Sequence, residues 1–172
     1  MGTGQTLLTI AAIMLLGTVI LTTDRTINDT GQVLLNSNIG LEEVSLATST
    51  IEEAEGKAFD ENTDTNNVTQ LSQLTPANLL GQENGDPNDF NDFDDYNGLN
   101  HDGLLRIDTV TVDSVVTGIY YDSTRVYYVD PASGLDNPVD HRTWYKLLDV
   151  WIWSKDVPDT VKMHTVYGYW YF

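Results

Sequence analysis

The first 23 residues contain no Asp, Glu, Lys or Arg, and this constrains the chain more than anything that follows. Within QTLLTIAAIMLLGTVILTT the run from Leu7 to Leu21 is broken only by Thr9, Gly17 and Thr18. At about 1.5 Å per helical residue that run spans somewhat less than the roughly 30 Å hydrocarbon core, and counting from Gln5 to Thr23 brings it close to full length. The segment is apolar on every face, whereas a helix buried in a soluble core needs partners all round, and the acidic stretch that follows offers few. A cleaved secretory signal would want a basic start and a small-residue cleavage site, but Met1 to Gly4 has no Lys or Arg and LTTD follows the apolar run.

At 172 residues there is room for one compact core and one appended element. The charge is unevenly spread. Residues 24–103 carry 17 acids against 2 bases and residues 104–172 carry 9 against 6, within a total of 26 acids, 8 bases and a formal net charge of -18. Such a balance disfavours binding to nucleic-acid phosphates or to an anionic lipid surface. With no cysteine there is no disulfide framework, thiolate nucleophile or zinc ribbon. All four Trp and eight of the nine Tyr fall in the last block, which places the core at the C-terminal end.

Four regions result: 1–23, a short leader plus a membrane-length helix; 24–59, its amphipathic continuation; 60–103, an acidic irregular loop; and 104–172, an antiparallel sheet. In the second, Leu34, Leu41, Val44, Ile51, Ala54 and Ala58 recur at helical spacing and predict an apolar stripe laid on the sheet, with bends or local melting at Gly31 and Gly40. In the third, neither period persists, and Thr75 with Pro76 predicts one short helical turn to Leu80. In the fourth, LLRIDTVTVDSVVTGIYY, RVYYVD, WYKLLDVWIW and TVKMHTVYGYWY read as four or more antiparallel strands. Leu147, Asp149, Trp151 and Trp153 alternate there against Leu148, Val150 and Ile152. The expected class is α+β, a long N-terminal helix packed on a C-terminal antiparallel sheet.

This order of elements resembles the type IV pilin superfamily, including minor pilins and the pseudopilins of type II secretion. Residues 4–21 look like its prepilin-peptidase motif, with Gly4 before the scissile bond, Gln5 as the first mature residue, the hydroxyl residue Thr6 second, and apolar residues thereafter. Two departures stand out: the leader lacks basic residues, and Thr9 occupies the fifth mature position, a glutamate in most pilins. FNDFDDYNGL (90–99), followed by VYYVDP (126–131) and YKLLDVWIW (145–153), is similar to minor pilins of the mannose-sensitive haemagglutinin type. The resemblance implies a structural subunit of a pilus-like or pseudopilus-like filament. Thr6, Leu7, Leu8, Thr9, Ile10, Ile13, Leu16 and Ile20 would pack in its assembly surface. It implies other pilin-like subunits, a prepilin peptidase and assembly machinery as partners, and a cytoplasmic-membrane location before assembly into a surface or periplasmic filament.

Chemistry-bearing residues are few. Asp89, Asp92, Asp94, Asp95, Asn97 and Asp102, with Asp86, gather hard oxygen ligands of the kind calcium takes, although no EF-hand register fits; the competing reading is a solvated acidic loop. No cofactor is required. His101, His141 and His164 share no motif, and G-x-S-x-G, P-loop and H-E-x-x-H patterns are absent, so no enzyme is expected. The aromatics that close the chain read as sheet core or as an exposed contact surface. The alternative to a filament subunit is a membrane-tethered adhesion or glycan-binding module using Trp151 or Trp170.

Overall fold

The computed structural model describes residues 2–82, 90–98, 106–112 and 115–170, with the side chains of 106–112 and 115–117 outside that description. Helix α1 runs unbroken from Thr3 to Glu55 and contributes to two compact units, Met1–Ile39 and Gly40–Phe172.

In the first unit the apolar side chains are exposed, Leu8 at 74%, Ile13 at 65% and Ile20 at 52% among them. The hydroxyls along this helix turn back onto it: Thr6 donates to the Thr3 carbonyl and Thr9 to that of Gln5, both at 2.8 Å, and Thr22, Thr23, Thr26 and Thr30 bond in the same way. A hydroxyl satisfied inside its own helix asks nothing of water, so these threonines do not oppose an apolar surrounding. Gly31 and Gly40 neither break nor melt the helix, contrary to the expectation from their propensity.

The second unit is an α+β head. The last part of α1 packs on a sheet of β1 (Arg106–Val112), β2 (Val115–Asp130), β3 (Gly134–Val139), β4 (Tyr145–Ser154) and β5 (Thr160–Gly168), all paired antiparallel in the order β1-β2-β4-β5, with β3 on the far part of β2. Central β2 and β4 pair from Tyr120↔Ser154 to Tyr128↔Lys146, and β4 with β5 from Trp153↔Thr160 to Tyr145↔Gly168. The inward side of β4 buries Leu148, Val150 and Ile152 while Trp151 and Trp153 are half-buried, as the alternation predicts.

The helix meets this sheet with a face that follows the expected apolar stripe only in part: Ala54 is buried and Ile51 and Ala58 are half-buried. Glu43, Ala47, Thr50 and Ala54 are buried, whereas Leu41 and Val44 are exposed. The buried row, spaced four, three and four, follows one helix face and combines two alanines with Thr50, whose hydroxyl donates to the Leu46 carbonyl at 3.1 Å, and the carboxyl side chain Glu43. The apolar stripe is therefore corrected: Leu41 and Val44 lie off the face that packs. Leu34 belongs to the first unit and is 59% exposed. The helix also stops at Glu55, four residues before the expected end: the Gly56 N–H still bonds the Glu52 carbonyl, but the Lys57 N–H turns to that of Ala54, and Phe59 is then buried in the core.

Beyond the helix the loop is more ordered than its composition suggests. Ala58 bridges Asp92 in parallel fashion, with the Phe93 N–H donating to the Ala58 carbonyl at 2.8 Å. Short turns occur at Glu61–Asp64 (α2), Leu71–Gln73, Ala77–Leu79 and Asp94–Tyr96. The expected turn near Thr75 is thus the single 3-10 turn Ala77–Leu79 with Pro76 at its cap, while Thr75 is drawn to Asp60 instead. Phe59, Val68, Leu74 and Tyr128 form a buried cluster against which Trp144, Tyr167 and Tyr169 pack. Tyr167 and Tyr169 are thus core residues, and Trp170 is 74% exposed.

Ala54 is fully buried at the helix–sheet contact, so Ala54→Leu should overpack it and lower stability by about 1–3 kcal/mol, whereas Leu41→Ser should leave the unfolding midpoint nearly unchanged. Thermal melts of the detergent-solubilised chain read the difference. Equal effects of the two substitutions would contradict the assigned face.

Candidate functional site

The acidic loop folds inward. Asp60, Asp92, Asp94 and Asp95 are all buried, and their one buried cation among the described residues is Lys146 of β4. Lys146 occupies the same strand face as Leu148, Val150 and Ile152, so its stem crosses the core and its Nζ emerges at the helix end of the loop. It donates to the Phe59 carbonyl at 2.7 Å and to Asp60 Oδ2 at 3.0 Å, makes a short bond to Asp94 Oδ1, and lies 4.6 Å from the centre of the Phe59 ring.

Asp60 is the second hub. It caps α2 by accepting the Asn62 N–H at 3.2 Å, accepts the Thr75 N–H at 2.9 Å and its hydroxyl at 3.1 Å, and lies 3.4 Å from the Tyr128 hydroxyl. Burial pushes its carboxyl up, but Lys146 and these donors outweigh burial and hold it below the usual carboxylate range. Burial likewise raises the Tyr128 hydroxyl, with the charges of Asp60 and Asp94 adding to the effect.

Asp92 behaves oppositely. Its Oδ1 accepts the N–H groups of Asp94 at 2.8 Å and Asp95 at 3.1 Å, and so caps the turn at Asp94–Tyr96. Asp95 Oδ2 returns the favour to Asn91 and Asp92 at 2.8 and 3.0 Å. As carboxylates, Asp92 Oδ2 and Asp94 Oδ2 would face the interior with no donor among the described residues. Burial first, then the charges of Asp94 and Asp95, push Asp92 up to about 8. Asp92 therefore carries its proton at neutral pH and shares it with the Asp94 side chain, which is itself raised by burial against the opposing pull of Lys146.

The expected metal ligands are thus divided. Asp92, Asp94 and Asp95 come together, but as a buried network rather than a solvated loop. Asn97 is committed to the fold, donating to the Leu80 carbonyl at 2.8 Å and accepting the Val126 N–H at 3.0 Å. Asp86, Asp89, Asp102 and His101 lie outside the described residues. Among the described residues no group of three or more His, Asp or Glu side chains is placed to hold a metal ion. His141 lies 3.5 Å from Asp140, and His164 lies 3.8 Å from Asp136 on a different element. Gly4, Gln5 and the assembly residues Thr6, Leu7, Leu8, Thr9, Ile10, Ile13, Leu16 and Ile20 are all exposed on α1.

Sequence reasoning missed Asp60, Lys146 and Glu43. The signal for Lys146 was present, since extending the inward alternation of Leu148, Val150 and Ile152 one step back lands on it, and a lysine on an apolar strand face needs a buried acid. Glu43 is buried on the packing face of α1, where burial first and then Asp159 raise its carboxyl while the Ser154 N–H opposes them; its neighbour Glu42 takes a short hydrogen bond from Tyr120.

With this geometry in hand, comparison with known proteins finds no match to any family model, curated protein or solved structure.

Because the folded chain holds the Asp92 proton more tightly than the unfolded chain, it binds more protons between the ordinary carboxylate range and about pH 8, and the associated stability falls as pH rises across that window. The melting midpoint should drop from pH 6 to pH 9, and Asp92→Asn, which keeps the Oδ1 acceptor and a donor, should flatten the profile; equal slopes for both proteins would refute the shared proton. Lys146→Met should be severe, destabilising by about 3–5 kcal/mol, since Asp60 and Asp94 lose their buried cation. Urea titration checks it.

Proposed function

We propose that the protein is a structural subunit of a pilus-like or pseudopilus-like filament. Its helix is inserted in the membrane before assembly and packed against the helices of neighbouring subunits afterwards. The observation that carries this reading is the reach of the exposed apolar surface. One helix is long and apolar enough to cross a membrane, but lipid accounts for only part of what it exposes. Past the first charges, Asp24 and Arg25, the helix still exposes Ile27 at 64%, and past Asp29 it exposes Val33 at 66%, Leu34 at 59% and Leu35 at 63%. Ile13, Ile20, Ile27 and Leu34 are each seven residues apart, a spacing that keeps one seam turned toward a partner helix. A mere membrane tether has no use for such a row in water, where it costs about 25 cal/mol for each Å² left uncovered.

The reading also rests on the order of elements and on the Gly4-Gln5 motif. Extraction from lipid would exchange one apolar surrounding for another, and the self-bonded threonines ease that exchange. Thr9 stands where most pilins carry a glutamate; an unpaired charge inside lipid is costly, and without one the subunit lacks that register device in assembly.

The deciding experiment combines intact mass and N-terminal sequencing of the protein from sheared surface filaments and from membranes. Filament protein should begin at Gln5. Leu34→Lys should abolish filaments while leaving membrane insertion intact. Unprocessed protein confined to membranes would point to a tethered binding domain instead, and unaltered filaments from Leu34→Lys would refute the seam through Leu34.

A further inference from the structure

A cleft of about 720 Å³ lies where the loop meets the β2–β4 pair, lined by Asn78, Leu80, Asn97, Gly98, Ser123, Thr124, Arg125 and Trp151. Its walls are held firmly. Gly98 donates its N–H to the Thr124 carbonyl at 3.2 Å, Asn97 is bonded through both ends of its amide, and the buried Thr124 hydroxyl makes a short bond to the Tyr96 carbonyl. The groups left for a ligand are the exposed Asn78 amide, the half-buried Ser123 hydroxyl, the exposed Arg125 guanidinium and the half-buried Trp151 indole. Ser123 stands directly across the strand pair from Trp151, and Arg125 across from Asp149.

This lining is unusual for the chain. In a protein with 26 acidic residues and 8 basic ones, it holds an arginine and no carboxylate. Lys162 adds a second cation beside it, 5.1 Å from the centre of the Trp151 ring and 3.2 Å from Asp149 Oδ1, whose other oxygen takes a short bond from Tyr127. The acid paired across the strands from Arg125, Asp149, is therefore compensated. Only Leu80 and Trp151 are apolar, too few for a lipid-like ligand, while one guanidinium suits a single carboxylate better than a polyphosphate.

The geometry points to a binding site for an acidic saccharide, with the indole of Trp151 against a sugar ring, Ser123 and Asn78 on its hydroxyls, and Arg125 on its carboxylate. An indole offers a flat apolar face to the C–H side of a sugar while amide and hydroxyl groups bond its rim. The volume accommodates a short oligosaccharide rather than a single small ion. The assignment is independent of filament assembly and holds for a tethered head as well.

The test uses the full-length protein in a zwitterionic detergent without a sugar headgroup. It is titrated with oligogalacturonate, with the same oligomer after methyl esterification, and with alginate and hyaluronan oligomers. Intrinsic tryptophan fluorescence and calorimetry are the readouts. At least one of the three acidic oligomers should bind saturably, and Trp151→Ala should abolish that binding. Arg125→Gln should weaken it about tenfold, as charge removal by esterification should for oligogalacturonate if that is the acid bound. Asn78→Ala, at an exposed position that cannot disturb the core, should weaken it with an unchanged melting curve, which keeps the test decisive if Trp151→Ala melts early. No saturable binding to any acidic oligomer would overturn the proposal, as would binding indifferent to Arg125→Gln and Asn78→Ala.

Discussion

One ammonium group holds the head together. Lys146 reaches from the central strand through the apolar core to the place where the long helix has just ended, and there it joins the Phe59 carbonyl, Asp60 and Asp94. Each contact ties a different part of the chain to the sheet: the exit from the helix, the start of the loop, and the turn near its end. Burying so many charges is costly, and such a network rarely adds stability over a well-packed apolar one. Its contribution is specification. A lysine with three defined acceptors admits one arrangement of the loop, where a leucine in its place would tolerate several. The protonated Asp92 extends the same logic, removing one negative charge that Lys146 alone does not neutralise.

The helix carries two unlike surfaces. Toward the head it presents Glu43, Ala47, Thr50 and Ala54, all buried. In the first unit it presents Leu, Ile and Val that no described residue covers. The apolar stripe was right only in part: Ala54 is buried and Ile51 half-buried, while Leu41 and Val44 stay outside and Glu43 and Thr50 take inward places that hydrophobicity does not mark.

Much of the architecture was legible because it rests on local periodicity. The charge-free start, the alternation in β4 and the runs of Val, Tyr and Trp translate directly into helix and strands. The acidic loop resisted because its order comes from long-range partners: Asp60 meets Lys146 some 86 residues away, and composition alone makes the two look like solvated charges. The candidate ligands Asp92, Asp94 and Asp95 were found as a cluster, but neither reading of it, calcium site or solvated loop, included Lys146, since sequence reports which charges are near one another along the chain and not which one is opposite. The cleft was likewise half visible. Trp151 could be singled out as an aromatic on the outward face, but Asn78 and Arg125 join it only through the fold.

The parallel bridge between Ala58 and Asp92 closes the loop at its base, with Lys146 and Asp60 clamped beside it. A loop fixed at both ends is tolerant of length, because doubling it adds only about 0.6 kcal/mol of closure entropy. What holds this span is therefore not its length but its inward contacts: Val68 and Leu74 pack in the core and Thr75 bonds Asp60. The bridge makes the acidic stretch part of the head's interior rather than an appendage to it.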